Sequence, residues 1–123
     1  GNAEYCPVTQ VILADRQPAQ EDVSDILTDL AHSDHMVKSQ LLSQSLLDSF
    51  KQYFSNRTKT IRQAPFRVLL VRAPATLVEL GFISNPQEAK WMAQAPTQKK
   101  LAEAIVTGIR TFKEKLDKTQ SVP

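Results

Sequence analysis

Apolar residues recur along this chain with two different periods. Val23, Ile26, Leu27 and Leu30 step at helical spacing. The region from His32 to His35 interrupts the step, and it resumes with Leu42, Leu46, Phe50 and Phe54, flanked by Leu41 and Leu47. That stripe is wide enough to face a sheet. Asp22 or Ser24 suits the start of this helix, with acidic residues in its first turn. Near the end of the chain Leu101, Ile105, Ile109, Phe112 and Leu116 step by four, four, three and four, which predicts an amphipathic helix. A tail from Thr119 should fray.

Outside these helices the pattern shortens. Val8, Val11, Ile12 and Leu13 allow a short strand or an irregular connection, and the polar stretch from Asp15 to Glu21 with Pro18 reads as a loop. Ser55 to Thr60 is a polar connection, and Pro65 stands before or at the start of a strand. Val68 to Val71 is continuously apolar, which predicts a strand buried on both faces. Ala73-Pro74-Ala75 breaks it, and Thr76-Leu77-Val78 begins another short strand. Asn85 is a good N-cap, Pro86 suits the first helical position, and Glu88 would complete a capping-box arrangement. Pro96 separates this short helix, with Ala89, Met92 and Ala93 on its apolar side, from the last one. The expectation is one α/β domain over residues 1–123, part of a mixed sheet flanked by helices.

Glu79 is the residue with the clearest chemical implication. It stands in Leu77-Val78-Glu79-Leu80-Gly81-Phe82-Ile83, among aliphatic neighbours. A carboxylate is costly to bury as an anion unless it is paired, metal-bound or protonated. A group held there is a candidate general base with a raised pKa. The alternative is a Glu that merely surfaces at a strand end.

Val78-Glu79-Leu80-Gly81-Phe82-Ile83-Ser84-Asn85 resembles the signature near the end of the zinc-dependent N-acetylmuramoyl-L-alanine amidases, which cleave peptidoglycan. Arg62 to Phe66 leading into Val68-Leu69 resembles the strand before that signature. Asp25 to Ala31 and the stretch from Ser39 to Leu42 resemble the family's long mid-domain helix, and Leu101 to Ile105 with Gly108-Ile109 its last helix. Gly1 and Tyr5 match a Gly-x-x-x-Tyr strand. The match covers most of residues 22–116. It implies a hydrolase of the amide between N-acetylmuramic acid and L-alanine, an autolysin type, with zinc as cofactor and Glu79 as catalytic residue. It further implies peptidoglycan as substrate, an activator protein as a possible partner, and a periplasmic or extracellular setting. Some members carry an inhibitory helix in the region matching Glu21 to Asp29.

The chain departs from that family where zinc is concerned. The family's ligands are a His in a Gly-His-Gly-Gly-like turn, a later Glu, and a His in a Ser-x-His-x-Asn strand. None of these motifs occurs here. The chain therefore resembles the C-terminal half of a catalytic domain, starting just after the second histidine strand, with no metal ligands of its own and no expected activity alone. A non-catalytic amidase-like module that binds cell wall or a protein partner is the alternative.

Composition adds bounds rather than direction. At 123 residues, 41% hydrophobic and 23% charged, the chain has the make-up of an ordinary globular domain. A formal charge of +2 is too small to imply nucleic acid. No run approaches the roughly 20 apolar residues of a membrane span, and no secretory leader opens the sequence. Cys6 is the single cysteine, so no internal disulfide forms. Gly1 reads as a scar of expression.

Other groupings carry less. His32 and His35 can share a helical face, and Asp29 and Asp34 lie nearby, but two histidines do not make a zinc site. Lys99, Lys100, Arg110, Lys113, Lys115 and Lys118 read as the solvated face of the last helix. Ser84 lacks a nucleophile elbow and, with Asn85, organises the turn after Glu79. Trp91 and Phe82 line a groove or pack in the core.

Overall fold

The computed structural model describes residues 8–14, 23–64, 69 and 71–120. The elements run β1 (Val8–Ala14), α1 (Val23–Tyr53), β2 (Thr58–Ala64), β3 (Thr76–Glu79), α2 (Pro86–Met92) and α3 (Ala95–Gln120). The matched Gly1 and Tyr5, Cys6, and Pro65 to Val68 lie outside the described residues.

The expected α/β domain built on a mixed sheet with helices on its flanks is corrected by this architecture. The described protein is mostly helical. Helices of 31, 7 and 26 residues stand against strands of 7, 7 and 4. The strands form one small sheet in the order β2-β1-β3. β1 pairs parallel with β2 from Val8↔Thr58 to Ala14↔Ala64, and antiparallel with β3 from Gln10↔Glu79 to Leu13↔Thr76. α1 packs on all three strands, and α3 packs on α1 and α2. The most extensive contact between two elements is that of α1 with α3.

Three local expectations change as well. The run ending at Val71 is not a doubly buried strand where it is described: Leu69 is buried, but Val71 is 53% exposed and its N–H bonds back to the Leu69 carbonyl at 2.9 Å. That is a tight bend, not ladder geometry. Conversely, the polar connection after Ser55 gives way at Thr58 to β2, whose partner β1 lies far away in sequence. The region around His35 does not interrupt α1, which is continuous through it.

The core forms where α1 meets α3. Phe50, Phe54, Leu101 and Ala104 make its centre, with Tyr53, Val78, Leu80, Trp91 and Ile105 packed around them. Phe50 and Phe54 stack at 6.2 Å, and Trp91 meets Phe54 edge-on at 5.7 Å. Small residues set the helix spacing. A Cβ at Gly108 would stand 2.8 Å from the Leu46 Cα, so the backbones approach too closely for any side chain there. Ser49 Oγ donates to the Ala104 carbonyl across the interface at 2.6 Å. The buried face of α3 is therefore Thr97, Leu101, Ala104 and Gly108, whereas Ile109 of the expected stripe is 48% exposed. Close backbone approach rather than side-chain hydrophobicity chose that face.

Candidate functional site

α1 fixes the start of β3 through serines. Ser39 Oγ accepts from the Ala75 N–H at 2.9 Å, and Ser43 Oγ donates to Thr76 Oγ1 at 3.0 Å. Both serines are buried, where an unmet polar group would be costly, so each bond also satisfies its own hydroxyl. Leu77 then packs with Leu69, Met36 and Ala75, while Val78 and Leu80 pack against the phenylalanine core. A four-residue strand is held from both of its faces.

Glu79 ends this strand, opposite Gln10 of β1. It is half-buried. Among the described residues no hydrogen bond or ion pair engages its carboxylate. The group is thus placed by its strand, with no side-chain partner among the described residues.

The turn that follows is held by a second carboxylate. Glu88 is 2% exposed, and its Oε2 accepts from the Phe82 N–H at 2.8 Å. Its Oε1 lies 3.5 Å from Arg57 Nη2, an ion pair at long range rather than a short hydrogen bond. The same Arg57 nitrogen donates to the Leu80 carbonyl at 3.3 Å. The guanidinium lies over the Trp91 ring at 3.7 Å, a cation–π contact in a nearly buried setting. Gly81 is required by this arrangement, because a Cβ there would come within 2.9 Å of Glu88 Oε1.

The capping expectation is half right. Asn85 caps α2 with extended backbone, and its Oδ1 accepts from the Gln87 and Glu88 N–H groups at 3.0 and 3.1 Å. Glu88 does not turn back to the Asn85 N–H, which bonds the Phe82 carbonyl at 3.1 Å instead. The slot beside Gly81 and the charge of Arg57 draw the carboxylate inward. Sequence reasoning missed Glu88 as an anchor because a cap explained it locally. The signal available was the pairing of Gly81 with a Glu seven residues on.

The remaining candidates separate. Trp91 belongs to the core, while Phe82 is 49% exposed and Ile83 82% exposed at the tip of the turn. Ser84 is exposed on that turn. Lys99, Lys100, Arg110, Lys113 and Lys118 are exposed. Asp34 bonds Lys38 at 2.8 Å, and that hydrogen bond holds its carboxyl below the usual aspartate range. His35 is half-buried on α1. Among the described residues no group of three or more His, Cys, Asp or Glu could hold a metal ion, so the zinc implied by resemblance does not fit them. Among them, too, no helix is long and apolar enough to cross a membrane.

Comparison with known proteins places this geometry. The family model for N-acetylmuramoyl-L-alanine amidase matches residues 9–111. The N-acetylmuramoyl-L-alanine amidase AmiA of Salmonella typhimurium is 32% identical over 91 residues, which is 73% of this chain and 32% of that protein. AmiA of Escherichia coli is 31% identical over the same shares. The germination-specific N-acetylmuramoyl-L-alanine amidase of Bacillus subtilis is 31% identical over 83 residues, 65% of this chain and 35% of that protein. The chain spans about a third of the length of these relatives. A match over residues 9–111 runs from β1 through the Glu79 strand and its strapped turn into α3, and on that ground the chain belongs to the N-acetylmuramoyl-L-alanine amidase family.

Proposed function

We infer that this chain contributes the proton-transferring carboxylate, Glu79, of an enzyme that hydrolyses the amide between N-acetylmuramic acid and L-alanine in peptidoglycan. The observation that supports this is a half-buried carboxylate at a strand end, without a side-chain partner among the described residues, beside a turn held from within. Glu79 would take the proton of the attacking water and deliver it to the leaving amine, which requires reach of about 3 Å to that water. The described residues supply no metal set. In this reading the ligands come from other residues, the chain is the C-terminal half of a catalytic domain, and it is inactive alone. The site of action is the periplasm or the cell exterior, and an activator protein is a fitting partner.

The same lack of a metal set supports a second reading, a non-catalytic amidase-like module on the cell wall. Glu79→Gln separates the two. In a protein that carries this chain together with a zinc set, the nearly isosteric amide keeps fold and zinc content, and dye release from labelled peptidoglycan falls by about 10²–10⁴-fold. Full activity in that variant ends the catalytic assignment. Zinc titration of the chain alone should show weak, nonspecific binding, and a stoichiometric site with turnover would overturn the half-domain reading.

A further inference from the structure

We propose that Glu88, acting with Arg57, is a positioning residue for Glu79. This rests on the reading of Glu79 as the proton-transfer group. A strand end lacks the next rung of its ladder. Past Glu79 the ladder stops, since Glu79 opposite Gln10 is the last pair of β1 with β3. A backbone released from its ladder would let the terminal side chain swing.

Here the next three residues are tied down instead. The Leu80 carbonyl accepts from Arg57, and the Phe82 N–H donates to Glu88, so both ends of Leu80-Gly81-Phe82 are fixed to one charge pair. The pair itself cannot drift. Glu88 is set by the cap at Asn85, Arg57 lies on Trp91, and Trp91 packs on Phe54 of the core. Gly81 lets the Glu88 carboxylate lie directly under the turn.

A buried charge pair is a poor source of stability, because desolvation offsets much of its attraction. Its place between the core and the turn after Glu79 suits it to orient that turn more than to stabilise the fold. Glu88 touches no reacting atom in this scheme. It acts through the backbone on either side of Gly81.

The test uses the full chain and three variants. Gly81→Ala leaves both charges intact but pushes the Glu88 carboxylate off the turn. Glu88→Gln keeps an acceptor for the Phe82 N–H while removing the charge. Leu46→Ala is a control that opens the helix interface away from the turn. Hydrogen exchange of the Phe82 amide and the side-chain carboxyl carbon signal of Glu79 are followed by NMR, beside global stability.

Gly81→Ala should speed Phe82 exchange by about tenfold beyond its change in global stability, as expected for one lost hydrogen bond to a charged acceptor, and should shift the Glu79 signal. Glu88→Gln should show a smaller change of both, and Leu46→Ala neither. In the ligand-complete amidase, Gly81→Ala should lower kcat with KM nearly unchanged. The proposal is overturned if Phe82 exchange follows global stability alike in all three variants and the Glu79 signal stays in place. Loss of the kcat effect because Glu79 proves dispensable would sink the catalytic reading, while the NMR result would still decide whether the strap orients Glu79.

Discussion

The two halves of α1 carry the same kind of apolar repeat and meet opposite fates. In the second half Leu46, Leu47 and Phe50 are buried, as is Phe54 just past its end. In the first half Ile26, Leu27, Leu30 and Val37 are between 53% and 65% exposed. The partner helix explains the difference. Phe50 and Phe54 form one core with Leu101 and Ala104 of α3, and Leu46 lies against Gly108 of the same helix. Ile26, Leu27, Leu30 and Val37 belong to neither core cluster of the described residues. Periodicity predicts that a helix has a face, and only what packs along it decides how much of that face is covered.

The largest effect that tests this contrast comes from the covered half. Phe50→Ala removes the centre of the core and should cost about 3–5 kcal/mol, read as a fall in the urea midpoint. Gly108→Ala should be intermediate. The methyl would gain helix propensity of up to about 1 kcal/mol, but it meets the Leu46 backbone at 2.8 Å. Overpacking of about 1–3 kcal/mol then prevails. A stabilised Gly108→Ala would show that the two helices do not approach as closely as described.

On the exposed half, Leu30→Ser should move stability by no more than about 0.5 kcal/mol. A loss comparable to Phe50→Ala would mean that this face is covered in solution, and the contrast would fail. The smallest effect belongs to Asp34. Its carboxyl titrates below the usual value of 3.8 because of the bond to Lys38. A lowered pKa contributes stability above that usual value, and the contribution is lost as pH falls through the folded value. Asp34→Asn should therefore melt slightly lower than the parent at neutral pH and coincide with it in strong acid. Asp34 is exposed and Lys38 only half-buried, so the difference lies near the limit of a thermal melt.

The elements fixed by neighbours in sequence were the legible ones. Asn85-Pro86 marks the start of α2 within a few residues, and the structure puts the cap there. β3 follows Pro74 as the break in pattern suggests. The existence of α3 was legible too, but not its buried face. What decides that face is Gly108 against Leu46, a contact between residues 62 apart.

β2 escaped for a similar reason. Thr58, Lys59 and Thr60 look like a loop until β1 supplies a parallel partner. The buried serines Ser39, Ser43 and Ser49 carry no hydrophobic signal, and their partners Ala75, Thr76 and Ala104 lie on other elements. The mostly helical balance was missed because α1 was read with a break at His32 to His35 and the run to Val71 as a strand. At the site, Glu79 stood out from its aliphatic neighbours. Glu88 did not, because its inward turn depends on Arg57 and Gly81 together.

The parallel register of β1 with β2 has a kinetic consequence. Every one of its seven pairs joins residues fifty positions apart, from Val8↔Thr58 to Ala14↔Ala64. Closing a flexible loop of that length costs roughly 3–4 kcal/mol before any pair forms, by the logarithmic scaling of closure entropy. The chain lowers that barrier only if the intervening segment is already stiff and folded back. α1 occupies 31 of those positions, so helix formation must precede or accompany strand pairing. The rate-limiting step of folding should then be set by the helix and its docking, with the sheet zipping afterwards, and substitutions that weaken α1 at Leu46 or Phe50 should slow folding rather than only speed unfolding.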